Sequence, residues 1–349
     1  MREYASEVRM DLHPSEHPLK VGMTYDTRDD FKFTSPEPED WDAEFAVSVA
    51  VDDIAHALED LGHEALYIGS GRKLLDSFRE YEGKVDIIFN IAEGYFGRAR
   101  EAQVPAMLEM AGVPYVGSDA YTLALSLNKW HTKVLASHYH IRTPAFALVR
   151  NDYEIDLCRP RSYPVICKLC YEGSSKGLKE DSIVHNRTEL RSLLRYLLRT
   201  YKQPILVEQF VRGREIDVPI IGSSPNKAFG VVGISLDGSL NLGNKFLTSK
   251  IVEADSYGFK YPLDEPFVAK ADSDAILLYN LLECRDFGRI DMRIDERGVP
   301  YFLEINPYPY LGKHSSFNEI ATKSGLGYTN MIGMILQSAL ERQTLRSRV

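Results

Sequence analysis

The residues best placed to do chemistry are concentrated in one stretch, FGRIDMRIDERGVPYFLEIN, at residues 287–306. Two runs with strand character, Arg289–Ile294 and Tyr301–Ile305, flank Asp-Glu-Arg-Gly, a connection rich enough in turn formers to make a hairpin. Side chains alternate faces along an extended strand, so Arg289, Asp291 and Arg293 share one face and Ile290, Met292 and Ile294 the other. The second run divides the same way, with Glu304 and Asn306 on one side and Leu303 and Ile305 on the other. With the apolar sets in a core, guanidinium groups, two carboxylates and a carboxamide converge on the opposite surface. Oxygen donors of this kind suit a hard cation such as Mg²⁺, which takes a few protein carboxylates and completes its shell with phosphate oxygens and water. A solvated hairpin face carrying a surface ion pair accounts for the same residues equally well. The choice turns on whether other stretches fit an ion and a phosphate.

Several do. In the strand YPVICKL, Lys168 lies on the face of Ile166, opposite Val165 and Cys167. A lysine among Val, Ile and Cys needs an anionic partner, because an unpaired buried ammonium is costly. Directly after it, Tyr171-Glu172-Gly173-Ser174-Ser175-Lys176-Gly177 offers backbone N–H groups, hydroxyls and an ammonium to phosphate oxygens. A Gly/Ser hairpin tip is the bland alternative, and the P-loop pattern is absent. In ILVEQFV, residues 205–211, Glu208 shares a face with Leu206 and Phe210, and Glu215 follows shortly after. A carboxylate flanked by apolar groups at a strand end suits an adenine amino group or ribose hydroxyls, although both glutamates could be plain surface carboxylates. Lys129 and Lys133 stand at i,i+4 on one face of a polar helix, where solvation is the default. Beyond the strand ending VDIIFN, the segment IAEGYFGRAREAQ puts Glu93, Gly94 and Arg98 where open α/β sheets bind ligands, or forms a structural turn.

The elements that must position these groups follow from pattern. At 349 residues, 44% hydrophobic and 26% charged, the chain suits two or three soluble domains with real cores. Its 41 Lys and Arg against 50 Asp and Glu give a net charge of −9, which makes no electrostatic case for nucleic acid. No stretch approaches the ~20 apolar residues of a membrane span. The polar N-terminus MREYASEVRMDLHPSEHP lacks the apolar core of a signal peptide, which points to a cytoplasmic address. Cys158, Cys167, Cys170 and Cys284 make no disulfide framework, and the CxxC of Cys167 and Cys170 has no second pair to complete a zinc site, so these read as buried strand cysteines.

Leu19–Tyr25 opens as a strand, followed by a polar acidic loop through Asp40 and a helix over Trp41–Leu61. A strand at Ala65–Ile68, a short helix near 72–81, a strand at Val85–Asn90, a helix at Arg100–Ala111 and an extended piece at Val113–Ser118 follow. This alternation argues for a parallel α/β unit. Further on, the pattern predicts one helix over Leu123–His138, a basic amphipathic helix over Arg187–Tyr201, strands at 205–211 and 216–221, and a helix over Pro266–Glu283. Residues 222–262, with Lys245 and Lys250, read as a polar flexible segment, NPYPYLGKHSS as an irregular loop, and Tyr328–Leu345 as a closing helix.

The assembled set resembles the ATP-grasp superfamily, and within it the D-alanine–D-alanine ligase family, from the strand ending at Asn90 to the C-terminal helix. VPYVGSD with LNKWHTK, VICKLCYEGSSKG, ILVEQFVRGREIDV, and GRIDMRID with YFLEINPYP carry the likeness by their order and spacing. The resemblance implies an α/β protein that is α+β in its C-terminal half. It would have an N-terminal parallel domain at 1–122, a central subdomain with the phosphate loop at 123–207, and a C-terminal subdomain with the metal site at 208–349. It further implies that Lys129 and Lys168 hold ATP phosphates, with the loop Gly173, Ser174, Ser175 to Gly177 closing over them and Lys250 as a further phosphate contact. Glu208 and Phe210 would border the adenine and Glu215 take the ribose hydroxyls. Asp291, Glu304 and Asn306 would bind two Mg²⁺ ions, for which Mn²⁺ can substitute. Arg289 would face the reacting carboxylate, Ser174 and Ser315 match substrate contacts, and Arg289, Ser174 and Lys250 make up the implied catalytic set. The implied activity is ADP-forming carboxylate–amine ligation through an acyl phosphate, on small-molecule substrates, in a homodimer, with no part for nucleic acid or membrane.

The departures from the family pattern are local. Its Gly-Gly-x-Ser-x-Glu segment is replaced by Met23-Thr24-Tyr25-Asp26, its His-Gly by Glu93-Gly94, and its Pro-Gly by Pro309-Tyr310. The expectation is an intact nucleotide and metal half, with the amino-acid half rebuilt around Glu93, Arg289, Tyr310 and Ser315 for a pair other than two D-alanines. A phosphotransferase of the same fold and a non-catalytic ATP-binding regulator are the competing readings.

Overall fold

The first third of the chain alternates apolar strands with helices, and it folds as that pattern dictates. The structure, a computed structural model, describes residues 17–27, 38–42, 48–69, 71–81, 83–222 and 226–346. Strands β1 (Lys20–Tyr25), β2 (Glu64–Tyr67), β3 (Ile87–Ile91) and β4 (Tyr115–Val116) pair in parallel in the order β2-β1-β3-β4. Helices α1 (Ser48–Asp60), α2 (Gly71–Tyr81) and α3 (Gln103–Ala111) connect them, the last preceded by a 3₁₀ turn at Arg100–Ala102. Trp41 and Asp42 lie in a turn rather than in α1, and residues 43–47 of the expected helix lie outside the described residues, as do the N-terminal 1–16 and loop residues 28–37.

The single helix expected over Leu123–His138 is two, α4 (Ala120–Ser126) and α5 (Lys129–His138). Asn128 causes the break: its backbone is extended and its side chain accepts a hydrogen bond from His131 N at 3.3 Å, so it caps a new helix. Lys129 thereby becomes the first residue of α5 instead of a mid-helix position.

The central sheet is antiparallel, ordered β5-β8-β6-β7, from β5 (Phe146–Val149), β6 (Val165–Leu169), β7 (Ile183–Val184) and β8 (Ile205–Gln209). Helix α6 (Asp152–Leu157) follows β5, and α7 (Arg187–Tyr201) lays Leu190, Leu194 and Leu197 against Val165, Cys167, Leu169, Ile205 and Val207. The opposite face of β6 presents Ile166 and Lys168, as the two-residue alternation requires.

The C-terminal sheet runs β12-β11-β9-β13-β14, with β10 on β9, all antiparallel. Its strands are β9 (Arg214–Ile221), β10 (Lys227–Ala228), β11 (Val232–Ser235), β12 (Gly258–Lys260), β13 (Phe287–Ile294) and β14 (Pro300–Asn306). Helices α8 (Ser249–Glu253), α9 (Val268–Leu281), α10 (Ser316–Lys323) and α11 (Tyr328–Arg346) complete the chain. The segment at 222–262, expected to be polar and flexible, thus holds β10, β11, α8 and β12. Its strands are only two to four residues long, too short for alternation to register. All four cysteines are buried free thiols. Among the described residues no helix is long and apolar enough to cross a membrane.

Helix α11 returns to the N-terminal sheet, packing Met331, Ile332, Ile335 and Ala339 with Val21, Ile54, Leu58 and Phe89. Asp286, fully buried just before β13, ties this return together: it accepts from Gly117 N at 2.8 Å and from Arg342 Nη2 at 2.6 Å. Removing one partner of a buried, hydrogen-bonded pair strands the other. Asp286→Ala should therefore cost about 3–5 kcal/mol in urea unfolding; a loss under about 1 kcal/mol would show that the clasp is incidental.

Candidate active site

Two cavities open between the central and C-terminal sheets and share Lys129, Glu172, Gly173, Ser175, Glu215, Asp291 and Glu304 in their walls. The smaller, about 70 Å³, is lined by apolar Ile166, Phe210 and Phe246 together with Lys168 and Glu208. β6 aims Lys168 into it and β8 aims Glu208, whose carboxylate pairs with Lys168 Nζ at 3.0 Å and with Lys133 Nζ at 2.6 Å. Burial opposes ionisation of Glu208, but the two ammonium groups outweigh it and hold the carboxyl below its usual range. Burial also pulls Lys133 down to about 8, against the pull of Glu208. Lys129 and Lys133, for which solvation was the default, are both buried. Glu215 pairs with Arg293 at 3.1 Å, and that guanidinium lies 4.9 Å over the Phe210 ring. Burial raises Glu215 despite Arg293.

The 287–306 hairpin forms, with Arg289 opposite Asn306 and Asp291 opposite Glu304. Its register then slips, since Met292 faces Phe302, leaving Leu303 as a bulge. The slip inverts the strand's phase. Phe302 and Ile305 enter the core, whereas Leu303, expected there, lines the smaller cavity beside Glu304. Asp291 accepts from Arg289 Nε at 2.6 Å, Arg289 Nη2 at 2.8 Å and Asn306 Nδ2 at 2.9 Å. Glu304 pairs with Lys129 at 2.7 Å. Burial would raise Glu304, but Lys129 and Lys168 bring it down to about 2. Burial pushes Asp291 up to about 7, with Asp217 adding to it and Arg289 opposing. Asp217, on β9 directly opposite Asp291 and 3.5 Å from Arg289 Nε, was not singled out from sequence. Its signal was there: in REIDV, Asp217 shares the face of Glu215. Among the described residues no three His, Cys, Asp or Glu side chains form a metal cluster by themselves. To hold a hard cation, two carboxylates and a carboxamide would need further oxygens from a ligand.

The loop after β6 is clasped from the N-terminal unit. Ser174 and Ser175 take left-handed backbone conformations, with φ of 47° and 55°. Gly177 N donates to Asp40 Oδ2 at 2.6 Å, Arg100 donates to Tyr171 O at 2.6 Å and pairs with Glu172 at 3.3 Å, and Lys176 pairs with Glu172 at 3.1 Å. Arg98, the arginine singled out in this stretch, is exposed and lines neither cavity, whereas buried Arg100 does the holding. The 3₁₀ turn at Arg100–Ala102 shifts the phase that a straight helix start would have given.

The larger cavity, about 550 Å³, brings together Glu93, Ser174, Lys250, Arg289, Asn306, Tyr310 and Ser315. Ser315 already caps α10, accepting from Asn318 N at 3.2 Å. Lys250 sits exposed on α8, not in a loop, and Lys245 pairs outside both cavities with Asp237 at 2.8 Å. The Met23–Asp26 segment is built into the fold. Thr24 Oγ1 donates to Asn90 Oδ1 at 2.7 Å, Asn90 Nδ2 donates to the Tyr308 hydroxyl at 2.8 Å, and Asp26 accepts from Gly94 N at 2.6 Å. Tyr257, Phe259 and His314 form an aromatic wall that sequence reasoning missed, with ring centroids 5.0–5.4 Å apart.

A family model described as "D-ala D-ala ligase C-terminus" matches residues 135–337. The chain is 31% identical over 306 residues to "Uncharacterized protein y4sG" of Sinorhizobium fredii, covering 83% of this chain and 87% of that one. It is 30% identical over 290 residues to the D-alanine–D-alanine ligase of Geobacter sulfurreducens, covering 82% and 87%. It shares its fold with the crystal structure of the Bacillus anthracis D-alanine–D-alanine ligase complexed with ATP, at a TM-score of 0.70 and 19% identity over 94% of this chain and 99% of that one.

The bulge makes a prediction that separates neighbouring residues. Phe302→Ala should cost about 3–5 kcal/mol in urea unfolding, whereas Leu303→Gln, facing a cavity, should stay within about 1 kcal/mol. The reverse order would restore the unbroken strand phase.

Proposed function

Because the chain belongs to the D-alanine–D-alanine ligase family and is an ATP-dependent carboxylate–amine ligase with the ATP-grasp fold, we propose that its shared cavities divide the work between a nucleotide half and an amino-acid half. The observation that carries this reading is the juxtaposition of Asp291 and Glu304 as cross-strand partners in a wall that also holds Lys129 and that lies beside Lys168. In the nucleotide half, Lys129, Lys168 and the backbone N–H groups of Gly173–Ser175 hold phosphate oxygens. Ile166, Phe210 and Glu208 border the adenine, Glu215 meets the ribose, and Lys250 reaches the terminal phosphate from α8. Asp291, Glu304 and Asn306 are the metal ligands. Their fit to Mg²⁺ rests on an all-oxygen donor set and on Asp291, whose carboxyl burial and the neighbouring Asp217 push up and which a hard cation would favour in its charged form. Two Mg²⁺ ions, or Mn²⁺ in their place, would neutralise charge on the transferring phosphoryl group.

The chemistry then follows from charge. A carboxylate is a poor acceptor for an amine, so one of its oxygens first bonds to the γ-phosphorus as the bond to ADP breaks. The amine next attacks the acyl carbon, and phosphate leaves with the oxygen it was bonded to and takes up the proton that the nitrogen gives up. Lys129 and Lys168 stabilise the first step by position and charge. Arg289 donates to the tetrahedral oxyanion of the second, and losing such a donor typically costs ~10²–10³ in rate. Its Nε and Nη2 donate to Asp291, which leaves the N–H groups of Nη1 to meet the oxyanion.

Small amino-acid-like molecules are the proposed substrates, in a pair other than two D-alanines. Tyr310 supports this, since this 42%-exposed residue lines the same larger cavity as Ser315. Asp26 supports it as well, because its carboxylate is already engaged by Gly94 N.

Phosphate release from ATP and Mg²⁺ should require both a carboxylate and an amine from an amino-acid panel. Release dependent on one alone would favour a phosphotransferase. Asp291→Asn and Glu304→Gln should lower turnover by at least ~10² while keeping a native circular-dichroism spectrum; unchanged turnover would remove the metal assignment.

A further inference from the structure

Lys133 lies behind the nucleotide half and lines neither cavity. Its side chain is 0% exposed. Each of its three N–H donors has an acceptor: Glu208 at 2.6 Å, Thr143 Oγ1 at 2.9 Å and the Phe302 carbonyl at 3.2 Å. The Phe302 ring adds a face 5.4 Å from the ammonium. Such a lysine cannot travel to a ligand. Lys168 differs in that its side chain is 12% exposed and lines the smaller cavity while it pairs with the other oxygen of Glu208 at 3.0 Å.

The two cations therefore share one carboxylate but have unequal freedom. If Lys168 were the sole partner of Glu208, turning toward a phosphate would leave a fully buried carboxylate uncompensated, and that penalty would hold the lysine back. With Lys133 fixed on the far oxygen, Glu208 stays charged and oriented whichever way Lys168 points.

We propose that Lys133 is a positioning residue for nucleotide binding: the permanent counter-charge of Glu208 that frees Lys168 to engage phosphate. The inference rests on the reading of Lys168 as a phosphate ligand. A structural role, holding α5 to Thr143 and to β14, accounts for the hydrogen bonds of Lys133 but predicts no preference among nucleotides.

The test is calorimetric binding of a non-hydrolysable ATP analogue and of adenosine to the full chain. Lys133→Met should weaken the analogue by about tenfold or more and leave adenosine within about threefold, because Lys168 is then held by Glu208. In a Glu208→Gln background the same change should cost less than about threefold for either ligand, since no carboxylate remains to be compensated. That background also carries the test if Lys133→Met alone does not fold. Equal losses for both ligands, or a further tenfold loss on top of Glu208→Gln, would overturn the proposal. Lys168→Ala separates the two levels. If it binds the analogue like the parent chain, the phosphate assignment falls and the inference with it. If it weakens the analogue while a folded Lys133→Met does not, only the inference falls.

Discussion

Burying a carboxylate without a cation costs several kcal/mol, and that cost governs how this cleft is put together. Every acidic group at its centre meets a base from another segment of the chain: Glu208 from β8 meets Lys133 and Lys168, Glu304 from β14 meets Lys129, and Glu215 from β9 meets Arg293. Asp291 is the exception in degree, for its one strong partner, Arg289, comes from its own strand. The pairs join α5, the central sheet and the C-terminal sheet, so the same contacts that neutralise the cleft also hold its walls in register. A bound triphosphate and its counter-ions would redistribute these pairs rather than add charge to an empty surface. Lys133, fully buried, and Lys168, partly exposed to the smaller cavity, are the two kinds of cation that such a redistribution would need.

Backbone irregularities place the groups that the pairing requires. Asn128 ends one helix and starts another, so Lys129 emerges at the first turn of α5, within reach of Glu304 on β14. The bulge at Leu303 lets Glu304 stand opposite Asp291 while Phe302 and Ile305 both remain in the core. An unbroken strand would have had to send one of those two side chains out of the core. Local breaks in periodicity thus decide which charges meet in the cleft.

The same breaks mark the limit of what was legible in the sequence. Long elements with strong periodicity, such as β1, α7, β9, the hairpin and α11, were readable because burial imposes a two- or four-residue rhythm over many residues. The faces of Lys168, Asp291 and Glu208 followed from that rhythm. The break at Asn128 was hidden because Asn within an otherwise periodic run is as compatible with a helix surface as with a cap. β5, β7 and the strands of 222–262 were too short to carry a pattern. Lys133 was misread for a physical reason: i,i+4 spacing says which side chains are neighbours but not whether that face meets water or Glu208, 75 positions away in the numbering. Asp217 was visible as an alternating carboxylate, yet only the pairing of β9 with β13 brings it to Arg289.

The two halves of the cleft also differ in how far a fold can speak for them. Triphosphate and metal recognition uses generic means, positive charge, oxygen donors and backbone N–H groups, so a chain about 30% identical to a D-alanine–D-alanine ligase can keep them unchanged. Selecting a small carboxylate and amine depends on individual side chains, and function of that kind belongs to the site rather than to the fold. Here the cavity that holds Arg289 is also lined by Asp217, Tyr257, Phe259, His314 and Tyr310, and Thr24 and Asp26 at the end of β1 are engaged by hydrogen bonds to Asn90 and Gly94. On the proposed division of the cleft, differences of this kind would leave the phosphoryl chemistry alone while altering shape and charge on the amine's side. The proposed division, a generic nucleotide half beside a particular substrate wall, is the arrangement expected of a ligase that keeps its reaction and exchanges its substrates.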